Sequence, residues 1–73
     1  MIEVRLFAGL RQVRQKVYQM EPDSIRNVQD IMDAVDVPRS EVNIMLINGF
    51  HQKPETEVKD EDIVSLFPAV GGG

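Results

Sequence analysis

Apolar and polar residues alternate at the start of the chain. In the stretch MIEVRLFA, every second position from Ile2 to Leu6 is apolar, and the positions between and after them are Glu3, Arg5 and Phe7. A period of two predicts a half-buried strand. The basic stretch GLRQVRQ interrupts the pattern, which resumes in KVYQM. The two runs therefore predict a hairpin, with the basic stretch as its loop.

The period changes in the stretch EPDSIRNVQDIMDAVDVP. Apolar residues now recur at spacings of three and four, which predicts one face of a helix: Ile25, Val28, Ile31, Met32 and Val35. Ser24 stands directly before this face, and a serine there can cap the helix by accepting a free backbone N–H. Asn27, three residues further on, is only a weak match to a capping box. Pro38 disfavours helical backbone at Val37, so the helix is predicted to end there.

Three further strands are predicted in the second half. The apolar run NIMLING ends in Asn48-Gly49, a pair that favours a tight turn. FHQKP follows as a short edge strand that stops at Pro54. After the acidic loop ETEVKDED, the run DIVSLF alternates again and places Phe67 opposite the inward-facing residues. Pro68 then prevents further pairing.

One helix and one small sheet define the predicted architecture. The helix must cover one face of the sheet, because the chain has nothing else to cover it. So few strands cannot close into a barrel, and the other face must meet solvent or a partner. We therefore predict an α+β fold with four to five strands packed on one helix, formed by residues 1–68 and followed by a flexible glycine tail at 69–73.

Composition narrows the possible functions. The 73 residues suffice for one small domain, and the absence of cysteine excludes disulfides and cysteine-based zinc sites. Eight basic and twelve acidic residues give a net charge of −4, which argues against nucleic acid as a partner. The N-terminus does not have the pattern of a signal peptide, and no run is long enough to span a membrane. We expect a cytoplasmic protein without a membrane partner.

The chain ends in FPAVGGG, and three terminal glycines stabilise no fold. They are either a frayed end or the functional part of the molecule. Glycines can enter a narrow site because they have no Cβ atom, and the six residues from Pro68 to Gly73 can extend roughly 20 Å.

Four stretches resemble the MoaD/ThiS family of ubiquitin-like sulfur carriers, which have the β-grasp fold with a mixed sheet. VRLFAGLRQ is similar to the family's opening, EPDSIRNVQ to the start of its helix, INGFHQKPETEVKDEDIVSLFP to its second half, and FPAVGGG to its tail. The resemblance spans nearly the whole chain and is closer to MoaD, the small subunit of molybdopterin synthase. Two positions depart from the family: Glu61 stands where glycine is usual, and the tail has three glycines instead of two.

The resemblance implies a function for the tail. In this family an activating enzyme, an adenylyltransferase of the ubiquitin-activating type, joins the terminal carboxylate to AMP, and sulfur then replaces one oxygen. Gly73 would carry the resulting thiocarboxylate, with Gly71 and Gly72 giving access to the partner's site. The chain would be a carrier and not an enzyme, would bind no cofactor itself, and would dock on the activating enzyme and on a larger synthase subunit.

Docking requires a surface beside the tail. Alternation places Phe67 on the outer face of the last strand and Phe7 on the polar face of the first. By the ubiquitin-like alignment, Leu46 and Ile44 share that face, and Pro68 leads into the tail. An exposed apolar patch on a small protein favours a partner site. The alternative is that these residues belong to the core, as most Phe and Leu residues do.

Other candidates for chemistry are weaker. His51 is the only histidine and has no second ligand or serine–carboxylate pattern nearby in sequence. The run Asp60, Glu61 and Asp62 does not have the spacing of a calcium loop and is predicted to be a solvated turn that could also steer a basic partner. The chain contains no glycine-rich phosphate-binding motif, so we expect it not to bind ATP.

Three functional hypotheses remain open. The first is a sulfur carrier for molybdopterin-type cofactors or, as a close variant, for thiamin. The second is a protein modifier whose activated glycine is joined to lysines of other proteins. The third is a non-covalent β-grasp interaction module with an inert tail, which predicts that removing Gly72 and Gly73 changes nothing.

Overall fold

The computed structural model describes residues 1–69. This part of the chain contains one α-helix and five strands in the order β1, β2, α1, β3, β4, β5. Their bounds are Ile2–Leu6 (β1), Val17–Met20 (β2), Val28–Ala34 (α1), Val42–Ile47 (β3), Phe50–His51 (β4) and Ile63–Pro68 (β5). Short 3-10 helices occupy Ala8–Arg11, Pro22–Ser24 and Arg39–Glu41. No helix within residues 1–69 is long and apolar enough to cross a membrane.

The strands form one mixed sheet in the order β2-β1-β5-β3-β4. β1 and β5 pair in parallel, with Val4 opposite Val64, whereas the other neighbours are antiparallel. The α+β prediction, a mixed sheet of four to five strands packed on one helix, is confirmed. The last strand lies in the middle of the sheet, so the chain leaves the fold from its centre and not from an edge.

The core lies between α1 and one face of the sheet. Its most deeply buried side chains come from the alternating positions of β1 and β5 and from the helix, and each is fully shielded from solvent: Ile2, Val4, Leu6, Val28, Ile31, Met32, Val64 and Leu66. Full burial of one such side chain stabilises the fold by about 1.5–3 kcal/mol. The apolar face predicted from Ile25 to Val35 is buried throughout.

The start of the helix differs from the prediction. Asn27, and not Ser24, is the N-terminal cap, and its Oδ1 accepts a hydrogen bond from the Asp30 backbone N–H at 2.9 Å. Ser24 belongs to a preceding 3-10 turn, where its hydroxyl donates to the Glu21 carbonyl at 3.1 Å. Ile25 is in extended backbone and packs into the core without being helical. Both Ser and Asn are good caps, and local preference alone does not choose between them.

The helix also ends earlier than predicted, at Ala34, and Pro38 is not the residue that ends it. Asp36 has a positive φ of 57°, and the Val37 N–H donates to the Met32 carbonyl at 2.9 Å. This is a Schellman motif, in which a left-handed residue reverses the chain and satisfies a free carbonyl. The buried Val37 completes it with an apolar contact to the core.

Two loops also differ from their predicted form. β4 contains only Phe50–His51, because the following chain turns toward the helix, where the Pro54 carbonyl accepts from the Gln29 N–H at 2.9 Å. The predicted loop after β1 contains the 3-10 helix Ala8–Arg11. The tight turn predicted at Asn48-Gly49 is confirmed, with φ values of 51° and 89°.

Candidate functional site

The sheet face opposite α1 carries the predicted docking residues. In β5 the inward-facing Val64 and Leu66 alternate with Phe67 on the outer face. The register of β3 sets Ile44 opposite Phe67 and Leu46 opposite Ser65. All three apolar side chains are half-buried, not enclosed as a core residue would be. The pairing thus joins residues that are far apart in sequence into one apolar surface, which we call the outer face.

Phe7 joins this surface by stacking on Phe67. The two rings are 4.3 Å apart between centroids and 9° from parallel. The backbone supports the contact, because the Phe7 N–H donates to the Leu66 carbonyl at 3.2 Å. Parallel aromatic stacking contributes about 0.5–1.5 kcal/mol beyond the buried area, so the pair forms a firm platform.

Arg11 lies over the ring of Phe7. Its guanidinium carbon lies 5.3 Å from the centre of the Phe7 ring, a cation–π distance, and its Nε donates to the Leu6 carbonyl at 2.8 Å. Arg11 is absent from the predicted site. The sequence did carry a signal, since Arg11 lies in the stretch VRLFAGLRQ that the resemblance rests on.

An apolar groove of about 610 Å³ lies where the chain leaves the sheet. Its lining combines the start of the 3-10 helix, the first half of β3 and the end of β5: Ala8, Gly9, Asn43, Ile44, Phe67, Pro68 and Ala69. Of the predicted docking residues, Ile44, Phe67 and Pro68 line it. Phe7 stacks on Phe67 without lining the groove, and Leu46 lies further along the outer face.

Ala8 and Gly9 are groove residues that sequence reasoning missed. Ala8 has a positive φ of 52°, and a Cβ added to Gly9 would meet nothing within 4 Å. The opening of the groove on this side is therefore due to small residues.

Charges on the outer face are few and largely paired. Arg5 binds the carboxylate of Glu3 through its Nε, and Gln19 donates to the same carboxylate at 3.3 Å. The hydrogen bond from Arg5 is the main reason that the pKa of Glu3 is lowered. Glu3 thus stays ionised and neutralises Arg5, which leaves Arg11 as the cation beside the aromatic pair.

The acidic turn formed by Asp60, Glu61 and Asp62 is held by contacts within the chain. The N-terminal amine of Met1 lies 2.6 Å from Asp60 Oδ1 and 3.0 Å from Glu61 Oε2. Asp62 accepts from the Lys59 N–H at 2.8 Å and from Asn48 Nδ2 at 2.9 Å. Residues 1–69 contain no group of three or more potential metal ligands close enough to hold an ion. The acidic turn therefore fixes the N-terminus to the fold.

His51 lies exposed on the short edge strand β4, opposite Leu46 of β3. The predicted glycine site, Gly71, Gly72 and Gly73, lies outside the described residues. The described chain ends at Ala69, which is exposed at the lip of the groove.

Comparisons with known proteins agree with this arrangement. The sequence profile of the ThiS family matches residues 4–73. A search of curated proteins by sequence finds no match. Among solved structures, the putative molybdopterin converting factor subunit 1 from Pyrococcus furiosus is similar, with 26% identity, a TM-score of 0.71 and coverage of 94% of this chain and 97% of that one.

Two further structures, with lower sequence identity, share the fold. Molybdopterin-converting factor from Helicobacter pylori, solved as a complex of its subunits 1 and 2, is 20% identical with a TM-score of 0.66, covering 99% of this chain and 97% of the matched chain. Small archaeal modifier protein 1 from Haloferax volcanii is 24% identical with a TM-score of 0.76, covering 94% and 97%. Subunits of molybdopterin-converting factor and a small archaeal modifier protein thus have the same fold as this chain.

Proposed function

The chain belongs to the ThiS family, and from that premise we propose that it is a sulfur carrier whose C-terminal glycine carboxylate becomes a thiocarboxylate. One observation carries the proposal most strongly. β5 leads the chain out of the centre of the sheet, so that Pro68 and Ala69 lie in the apolar groove with three glycines still to follow. A partner that covers the groove would receive those glycines directly.

The chemistry takes place at the terminal carboxyl group. An oxygen of the Gly73 carboxylate attacks the α-phosphorus of ATP and displaces pyrophosphate, which forms an acyl-adenylate. Hydrosulfide then attacks the carbonyl carbon, AMP leaves with the original oxygen, and a proton is released from the sulfur. The product is a thiocarboxylate. Its sulfur is a nucleophile and can be transferred to a cofactor precursor.

The chain would supply the terminus and the docking surface, and not the catalysis. It has no motif for ATP, so we assign ATP binding to the activating enzyme, an adenylyltransferase of the ubiquitin-activating type. The chain itself would hold no cofactor, and the reaction would take place in the cytoplasm, where ATP is available.

We propose two partners that use the same groove in turn. The activating enzyme must enclose the terminus to adenylate it, and a larger synthase subunit must enclose it to receive the sulfur. The similarity to the subunit 1 proteins of molybdopterin-converting factor supports the second partner and a molybdopterin-type pathway over a thiamin one. Because both partners need the end of β5, their binding would be mutually exclusive.

Conjugation to lysines is the second candidate function. The shared fold with small archaeal modifier protein 1 favours it, and it uses the same acyl-adenylate. The two functions differ in the nucleophile, which is sulfide for a carrier and a lysine amine for a modifier. Covalent adducts of the chain on other cellular proteins, linked through Gly73, would assign the modifier function.

Adenylation, which both functions share, is tested by ATP–pyrophosphate exchange with the cognate activating enzyme. The full chain should support exchange, whereas a chain lacking Gly72 and Gly73 should support none. The substitution Gly72→Val should also block exchange, because a branched side chain does not fit a channel that admits glycine. Thermal melts should be unchanged in both variants. Absence of exchange by the full chain, with an activating enzyme that adenylates an established carrier, would leave a non-covalent interaction module as the function.

A further inference from the structure

We propose that Arg11 recognises a carboxylate of the partner protein that docks on the groove, and so determines which proteins bind there. The inference rests on the proposed function, because it concerns the partner that receives the tail. It adds the chemical identity of one contact: an acidic side chain set in an apolar surface that faces Phe7 and Phe67.

The guanidinium of Arg11 is held in place before any partner arrives. Its Nε donates to the Leu6 carbonyl at 2.8 Å, and its guanidinium carbon lies 5.3 Å from the centre of the Phe7 ring. Phe7 in turn stacks on Phe67. A partner would therefore pay little side-chain entropy to order Arg11, and preorganisation of this kind favours binding.

The two terminal nitrogens of Arg11 are left for an external acceptor. Within residues 1–69, Arg11 forms no ion pair, and its hydrogen bond to Leu6 uses Nε alone. Two other arginines of the chain are engaged differently. Arg5 is neutralised by Glu3, and Arg14 donates through Nε, Nη1 and Nη2 to backbone carbonyls. Arg11 is exposed and retains its capacity for a two-pronged contact.

A carboxylate fits this site better than a phosphate does. The whole chain carries a charge of −4, which repels polyphosphate, whereas a single carboxylate on a docked protein is brought in by the apolar contacts around it. A planar guanidinium and a carboxylate make two parallel hydrogen bonds, which adds selectivity for acidic groups.

The experiment measures KM and kcat for the chain in ATP–pyrophosphate exchange with the cognate activating enzyme. Arg11→Gln should raise KM roughly 10- to 100-fold and leave kcat unchanged, because it removes a binding contact and not a reacting group. Arg11→Lys should recover part of the loss. Arg26→Gln, a change at an exposed arginine near the start of α1, is the matched control and should leave KM unchanged. All variants should be folded at the assay temperature, and the Arg11 variants should melt a few degrees below the wild type because they lose the hydrogen bond to the Leu6 carbonyl.

Charge reversal identifies the acceptor. Arg11→Glu should weaken binding further, and replacement of one surface carboxylate of the enzyme by arginine should restore it for this variant alone. An unchanged KM for Arg11→Gln, or the absence of any rescuing position, would overturn the proposal. Direct binding by calorimetry without ATP separates the two claims. Binding that depends on Arg11 in the absence of exchange would refute adenylation but support the contact, whereas no binding by the wild type would refute both.

Discussion

Arg14 caps the end of the helix: its Nη2 donates to the carbonyl oxygen of Asp36 at 2.7 Å, and its Nε reaches the neighbouring carbonyl of Val35 at 3.2 Å. A cation at this position satisfies free carbonyls and interacts favourably with the helix dipole. The same guanidinium also contacts the Leu10 carbonyl at 3.4 Å. The loop that carries Arg11 is therefore tied to the helix side of the fold.

Removal of this cap should destabilise the protein without altering the tail. Arg14→Ala is expected to lower the free energy of unfolding by about 1–2 kcal/mol, because two carbonyls lose a charged donor. Urea unfolding followed by circular dichroism measures the change. Arg26→Ala serves as the comparison, since the ion pair of the exposed Arg26 with Asp30 spans 3.7 Å, and it should cost less than about 0.5 kcal/mol. Equal effects of the two substitutions would show that the cap adds nothing.

A charge on the inner face of the helix should unfold the domain. Val28 is 0% exposed, and Val28→Asp would bury a carboxylate with no partner. The cost of an unpaired buried charge is several kcal/mol, comparable to the roughly 5–15 kcal/mol by which small proteins are stable. Ala34→Asp changes an exposed position of the same helix and should leave the fold intact. A folded Val28→Asp protein, seen as dispersed amide signals by NMR, would refute the placement of the core.

The stacked Phe67 should matter more for docking than for folding. Phe67→Asp is expected to weaken binding to the activating enzyme roughly 30-fold or more, the scale of an aromatic hot spot. Loss of the stack on Phe7 should cost only about 0.5–1.5 kcal/mol of stability. Phe50→Asp is a matched control at an exposed edge position, and it should leave binding unchanged. If Phe50→Asp were the more damaging of the two, the docking surface would lie at β4 instead.

The ion pairs of the N-terminus predict a pH dependence of stability. The hydrogen bonds that the Met1 amine donates to Asp60 and then to Glu61 raise its pKa from 8.0 to about 10. A raised pKa in the folded state means that the stabilisation is complete below pH 8 and is lost as the pH rises through about 10. The pKa of Asp60 is lowered by the same contact, so its stabilisation is lost as the pH falls below the ordinary value of 3.8.

Asp60→Asn isolates this effect in the chain with a free amine. The variant should be less stable than the wild type at pH 7, and the gap between their melting temperatures should close above pH 10. Lysine titration affects both proteins equally and cancels in the comparison. A gap that persists unchanged at high pH would mean that the ion pair does not stabilise the fold.

The sequence was informative where a pattern is local. Alternation in β1 and β5 assigns Val4 and Leu66 to the core and Phe67 to the outer face, because successive side chains of a strand point to opposite sides. The Asn48-Gly49 turn follows from residues that tolerate positive φ. The buried apolar face from Ile25 to Val35 could also be predicted, since the spacing of its residues agrees with their burial.

Features that depend on distant contacts were not predictable. The cap could be Ser24 or Asn27 by preference, and packing decides for Asn27 through the isolated bridge that it forms with Glu57. The stack of Arg11, Phe7 and Phe67 joins opposite ends of the chain through the parallel pairing of β1 and β5. No local pattern encodes such a contact.

Glu61 shows how a departure from the family pattern can be accommodated. It has a φ of 71°, a left-handed conformation that favours glycine, the residue usual at this position in the family. The glutamate is held there because its N–H donates to the Met1 carbonyl at 3.0 Å and its carboxylate binds the Met1 amine. The departure thus changes how the N-terminus is fixed.

Intact-protein mass spectrometry tests the central claim most directly. The chain would be incubated with its activating enzyme, ATP and sulfide, and compared with a chain that lacks Gly72 and Gly73. The account predicts a mass gain equal to the exchange of one oxygen for one sulfur, localised by fragmentation to Gly73 and absent from the shortened chain. An unmodified terminus, under conditions in which the same enzyme converts an established carrier, would contradict it.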